Sequence, residues 1–134
     1  MSKPAIAENV LSAIAAQLRS RLSVSAAYLL GSAAEDRLRP DSDVDIAVLP
    51  QHGQALPTQE RLALAAELAL IIGRNVDLGV LSTANLVYAK EAVARGRLVF
   101  ERDHFITAQF EMYTLSMYAS LQESRQEVLR SYAA

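Results

Sequence analysis

Residues 31–49, GSAAEDRLRPDSDVDIAVL, carry five acidic side chains into a run that ends as an apolar strand. Aspartate is a poor strand former, yet Asp43 and Asp45 alternate, which puts both carboxylates on one face. At a rise of about 3.3 Å per residue their Cα atoms lie roughly 6–7 Å apart. With an effective dielectric near 20, repulsion at that separation is about 2–3 kcal/mol. A chain that keeps this cost is expected to hold a cation there. Taken alone, Asp41-Ser42-Asp43 also reads as a solvated turn. A calcium loop is the other reading of Asp41, Asp43 and Asp45, but Ile46 stands where the loop needs Gly and His52 where it needs a bidentate Glu.

On the N-terminal side, VSAAYLL (24–30) is an apolar strand that stops at Gly31-Ser32, a strand feeding a tight turn. Ile6, Val10, Ile14 and Leu18 recur every four residues and predict a helix over 5–22, with Leu11 and Leu22 on a neighbouring face. On the C-terminal side the strand 43–49 ends at Pro50 and the turn-rich QHGQALP. Thr58 is the expected N-cap of a helix to Ile72, stopped by Gly73. NVDLGVL (75–81) is a strand, Ser82 or Thr83 caps a helix to Arg95, and RLVFE (97–101) is a fourth strand. Asp103 caps a long helix toward Arg130. This order predicts one α/β (α+β) domain over residues 1–134, a small mixed sheet flanked by helices.

Composition narrows the chemistry. The 134 residues are 51% hydrophobic and 21% charged, an ordinary globular balance. A net charge of −2 gives no basic surface for nonspecific nucleic-acid binding, so no direct nucleic-acid contact is expected. With no cysteine and only His52 and His104, disulfides, thiolate metal sites and structural zinc are excluded. No apolar run approaches a membrane span and MSKPAIAENV lacks a signal-peptide core, so cytoplasmic residence is the expectation.

Both Asp-bearing strands share one phase. Val44, Ile46 and Val48 face opposite to Asp43, Asp45 and Ala47, and Val76, Leu78 and Val80 alternate with Asp77, Gly79 and Leu81. If the strands are neighbours, three carboxylates converge on an area kept small by Ala47 and Gly79. Hard oxygen ligands with room for water and phosphate suit Mg²⁺. Gly31 lets backbone approach a ligand closely, and the Ser32 hydroxyl can hold a phosphate oxygen.

Gly31-Ser32, ten residues, then Asp43-Val44-Asp45 resembles the signature of the DNA polymerase beta-like nucleotidyltransferases, and LLGS…RPDSDVDIAV resembles their minimal prokaryotic members. The resemblance runs over nearly the whole chain, with VDLGVL as the third-Asp strand. It implies that Asp43, Asp45 and Asp77 are the catalytic and metal-binding residues, holding Mg²⁺ as two ions. It implies too that Gly31 and Ser32 bind the β- and γ-phosphates of ATP, the substrate. Relatives carry arginine and glycine where this chain has Ala33, Glu35 and Asp36; Arg37 and Arg39 remain, and Arg39 is assigned to nucleotide binding.

Minimal members resemble half of a two-gene pair whose partner is a helical HEPN-domain toxin that cleaves RNA. The resemblance therefore implies an antitoxin that transfers AMP from ATP to a toxin tyrosine. A small-molecule nucleotidyltransferase of the antibiotic-modifying type and a non-catalytic toxin-binding antitoxin are the alternatives. The helix over 103–130 gathers Phe105, Phe110, Met112, Tyr113, Leu115, Met117, Tyr118 and Leu121. Aromatics and Met are enriched at interfaces, so this helix is the expected partner-binding element, in a hetero-oligomer with the toxin or in a homodimer.

Overall fold

The computed structural model describes residues 6–35, 39 and 41–133. Its elements are α1 (Glu8–Arg19), β1 (Val24–Leu30), α2 (Gly31–Ala34), β2 (Val44–Pro50), α3 (Thr58–Ile72), β3 (Val76–Val80), α4 (Leu86–Arg95), β4 (Arg97–Glu101) and α5 (His104–Ala133). The sheet order is β3-β2-β1-β4. β1 runs antiparallel to β2 and β4, while β2 and β3 pair in parallel through the α3 crossover. This is the mixed α/β sheet expected from the order of elements. No helix among the described residues is long and apolar enough to cross a membrane.

Alternation along the central strands decides what each face packs against. Val44, Ile46, Val48 and Leu78 join Leu29, Ile14, Leu18, Leu64 and Leu68 in the larger core, under α1 and α3. The opposite face, which carries Asp45 and Asp77, is not open throughout. Beyond the aspartates it closes over Tyr28, Ala47, Leu81 and Ala92, with Leu30, Leu49, Tyr88 and Phe110 packed against them. Small Ala47 and Gly79 let α4 and its tyrosine come down onto the strands. Only the end of the sheet bearing the aspartates is left accessible.

Several helix ends differ from the sequence reading. α1 stops at Arg19, because Arg21 N–H returns to Leu18 O (3.0 Å) and the chain turns into β1. Leu22, read as part of the helix face, is therefore 79% exposed. Thr58 is the first residue of α3, preceded by Pro57 with no side-chain cap, while Gly73 N–H closes on Ala69 O as the stop. Ser82 Oγ accepts Ala84 N–H (3.0 Å) in a turn, so α4 begins only at Leu86. Asp103 does cap α5, its Oδ1 accepting Phe105 N–H at 2.9 Å. That helix runs to Ala133, three residues past Arg130.

Leu68 is fully buried between α3 and the sheet. Leu68→Ala should lower unfolding free energy by about 2–5 kcal/mol, read from urea denaturation, through lost transfer energy and the cavity left behind.

Candidate active site

Parallel pairing of β2 with β3 sets Asp45 opposite Asp77 and Ala47 opposite Gly79. Antiparallel β1 brings Leu30 opposite Asp45, so the chain leaves β1 at Gly31 beside that carboxylate. Gly31 has φ +60°, and a Cβ there would stand 3.4 Å from Asp45 Oδ2. A side chain there would be strained by the left-handed backbone and would stand in contact with the acid; glycine avoids the strain. Gly31, Asp45 and Asp77 thus lie in a row across three neighbouring strands. Asp45 and Asp77 open into a cavity of about 450 Å³, lined also by Leu30, Leu78, Gly79, Arg61 and Tyr88.

The other expected site residues fall around this row. Asp43 lies one residue before β2 rather than in it. Val44 N–H already pairs with Asn75 O (2.9 Å), and the Arg74 guanidinium donates to the carbonyls of Arg39 and Ser42, which ties the preceding loop to the start of β3. Asp43 lines a separate, open depression of about 780 Å³ beside Arg74 and Asn75. That depression is the larger, but it lacks Asp45 and Asp77, and the chemistry belongs with the pair. Asp43 is still near enough to add its charge to Asp45. Among the described residues no three carboxylate or imidazole groups stand as a ready metal cluster. Ser32 is half-buried in the four-residue α2. Arg39 is exposed and does not line the Asp45–Asp77 cavity. Arg37 and Asp36 lie outside the described residues; Ala33 is buried and Glu35 exposed.

Electrostatics mark the pair. Partial burial, then the charge of Asp77, then that of Asp43 push the Asp45 carboxyl above its ordinary value. Burial also raises the Tyr88 phenol, with Asp77 and Asp45 adding to it, so its hydroxyl stays protonated and is a donor. An all-oxygen donor set bearing concentrated negative charge is the chemistry of a hard divalent cation. The residues present fit Mg²⁺.

Tyr88 and Arg61 had no signal in the sequence beyond ordinary helix positions. Tyr88 comes from α4, and a Cβ on Gly79 would sit 2.8 Å from Tyr88 Cζ and closer still to its oxygen. The glycine in VDLGVL is what admits the phenol. Arg61 reaches the same cavity from the first turn of α3.

The sheet end sets a Gly-Ser turn against two strand-borne aspartates over a cavity of about 450 Å³, an arrangement that suits nucleotidyl transfer. The chain belongs to the Polymerase beta nucleotidyltransferase family, whose model matches residues 12–105. It is 34% identical over 104 residues to protein adenylyltransferase MntA of Shewanella oneidensis, covering 76% of this chain and 71% of that protein. Among solved structures it resembles a chain of a toxin–antitoxin crystal structure with AMP-PNP (TM-score 0.74, 30% identity, 92% of this chain and 98% of that one). It also resembles a chain of the tri-AMPylated Shewanella oneidensis HEPN toxin in complex with its MNT antitoxin (TM-score 0.70, 29% identity, 95% and 98% covered).

The raised Asp45 carboxyl has a sign for stability. Below its ordinary value of 3.8 the acid is protonated folded or unfolded and carries no penalty. As pH rises through the higher folded value, the native state must ionise beside Asp77 and Asp43, and stability is lost. Asp45→Asn should therefore raise the melting temperature of the metal-free protein at pH 7 and leave it nearly unchanged at pH 3. Melting curves at the two pH values check this.

Proposed function

We propose that this protein is the antitoxin of a toxin–antitoxin pair and transfers AMP from ATP to a tyrosine of a HEPN-domain RNase toxin, with release of pyrophosphate. The observation that carries the reading is the register of β2 on β3, which sets Asp45 beside Asp77 with Gly31 alongside. The likeness to MntA, to a toxin–antitoxin chain solved with AMP-PNP and to the antitoxin bound to a tri-AMPylated toxin supports it. A chain serving only as a passive binder would have no reason to keep like charges adjacent. Cytoplasmic residence fits a partner that cleaves RNA.

In this reading Gly31 and Ser32 hold the β- and γ-phosphates, and Arg39, on the loop before β2, serves triphosphate charge. Asp43, Asp45 and Asp77 hold Mg²⁺. The ion, when bound, supplies charge stabilisation at the attacking and leaving oxygens of an in-line displacement at the α-phosphorus. Asp77 lies farthest from Gly31 and takes up the proton of the acceptor hydroxyl. AMP on the toxin adds bulk and negative charge, which repel an RNA phosphate.

Partner binding falls to α5 in this reading. Tyr113 is 56% exposed and Met112 69%, while Phe110 is half-buried against α4 and the sheet. Tyr118 is held in place by Gln122, which donates to its hydroxyl (2.6 Å), and by Lys90 over its ring. Of the residues gathered on that helix, Phe105, Met112, Tyr113 and Leu115 stand exposed, while Phe110, Met117 and Tyr118 are half-buried.

Label transfer, protection from toxicity and metal-dependent melting test the reading. ATP labelled at the α-phosphate should mark the HEPN partner, and γ-labelled ATP should not. Asp77→Asn should cut that labelling by about 10²–10⁴-fold while partner binding is retained. Transfer of the γ label, or full protection from toxicity by Asp77→Asn, would remove the enzymatic antitoxin. Mg²⁺ or Mn²⁺ should raise the melting temperature by mass action, and the Asp43→Asn, Asp45→Asn double variant should abolish the rise. An equal rise in the double variant would place the cation elsewhere.

A further inference from the structure

Part of the cavity wall has no role in the proposed reaction. It is built by Tyr88 from α4, whose hydroxyl end sits over Gly79 of β3, and by Arg61 from α3. Gly79 follows Asp77 by two residues on the same face of the strand, so the phenol stands directly beyond the aspartate pair. Strand order fixes the direction. Gly31 leaves β1, Asp45 is on β2, Asp77 is on β3, and β3 is the sheet edge.

An in-line displacement requires the attacking oxygen to enter on the side opposite the leaving group. With pyrophosphate leaving over Gly31 and Ser32, and the α-phosphorus over Asp45 and Asp77, the acceptor must approach from the side away from Gly31, through the cavity that Tyr88 helps to line. We propose that Tyr88 is an acceptor-binding residue: its ring packs against the incoming tyrosine side chain, and its hydroxyl donates a hydrogen bond that places the attacking oxygen. This rests on the proposed adenylyl transfer. The acceptor oxygen forms its bond to the α-phosphorus, the bond from that phosphorus to the bridging oxygen breaks, and pyrophosphate carries away the electron pair. The acceptor proton passes to the Asp77 carboxylate.

Geometry favours this over simple packing. Tyr88 is only half-buried: it packs against the second core and also lines the cavity beside Asp45 and Asp77. A Cβ on Gly79 would overlap the phenol, so the glycine keeps the ring down on the strand, where a reacting atom is to be placed. Offset packing of two aromatic rings suits a phenolic acceptor better than an aliphatic hydroxyl. Productive attack needs the reacting atoms held about 3–3.5 Å apart, so losing one positioning contact is felt in rate and not in nucleotide affinity.

The experiment is steady-state AMP transfer to the HEPN partner by wild type, Tyr88→Phe and Gly79→Ala, with melting temperatures and AMP-PNP stabilisation measured alongside. Tyr88→Phe keeps the ring and should lower kcat/KM for the acceptor at least tenfold, with KM for ATP, AMP-PNP stabilisation and melting temperature nearly unchanged. Gly79→Ala should give the same acceptor defect by displacing the ring; should it fail to fold, Tyr88→Phe decides alone. An acceptor kcat/KM within twofold of wild type in Tyr88→Phe would overturn the assignment. So would a defect expressed in KM for ATP or in lost AMP-PNP stabilisation, which would put Tyr88 on the nucleotide side. A wild-type protein that transfers no AMP would remove the proposed function and this assignment with it, and that failure is read before any variant is made.

Discussion

Two ionisable acids held side by side on parallel strands are the constraint around which this molecule is arranged. Asp45 and Asp77 are register partners, so neither can move away without breaking the β2–β3 ladder. Their repulsion is opposed on the other side of the same strands, where Val44, Ile46, Val48 and Leu78 are buried under α1 and α3. Burial of a side chain of that size is worth about 1.5–3 kcal/mol each, so the apolar face outweighs a like-charge cost of similar scale per pair. Alternation makes the two effects inseparable: a slip of one residue would bury the acids and expose the valines.

Everything nearby follows from keeping that pair accessible yet confined. Antiparallel β1 ends where β2 begins, and so delivers Gly31 to Asp45. The α3 crossover returns the chain to β3 in parallel, which is what aligns Asp77 with Asp45 and not with a residue farther along. α4 then crosses back over the acid-bearing face and closes it with Tyr88 and Ala92, while α5 packs across α4 and contributes Phe110. Closure stops short of the aspartates. The accessible volume left there is bounded by strands on one side and by a tyrosine on the other.

Much of this is legible in the sequence. Alternation in DVDIAVL and VDLGVL specified which face carries the acids, and the matching phase of the two runs anticipated their pairing. The four strands, to within a residue at their ends, and the stop of α3 at Gly73 fall where turn residues and periodicity put them. Local signals failed where tertiary contacts overrode them: α1 ends early because the chain must turn into β1, and Ser82 serves a turn instead of a helix cap. Asp43 reads as a strand residue, but the Arg74 contacts to the carbonyls of Arg39 and Ser42 hold that segment as loop. The second core on the acid-bearing face had no signature, because Tyr28, Ala47 and Ala92 meet only after α4 and the sheet have assembled.

Tyr88 shows why part of a site escapes pattern reading. Its neighbours in sequence are ordinary helix residues, and what gives it chemical meaning lies in β3. Gly79 leaves a hollow in the strand, the phenol fills it, and burial, with the charges of Asp77 and Asp45 adding to it, raises the phenol above its ordinary value. A glycine in a strand interior weakens the strand and gives up a packing side chain. Here the phenol replaces that missing side chain from the outside, so the sheet edge stays covered while a hydrogen-bond donor is delivered beside two acceptor-only groups. The same substitution of packing across elements keeps α4 on the sheet: Ala92 and Ala89 are small enough for close approach, and Tyr88 supplies the bulk. The cavity is therefore shaped by one small residue in the strand and one large residue in the helix, a pairing that neither segment encodes by itself.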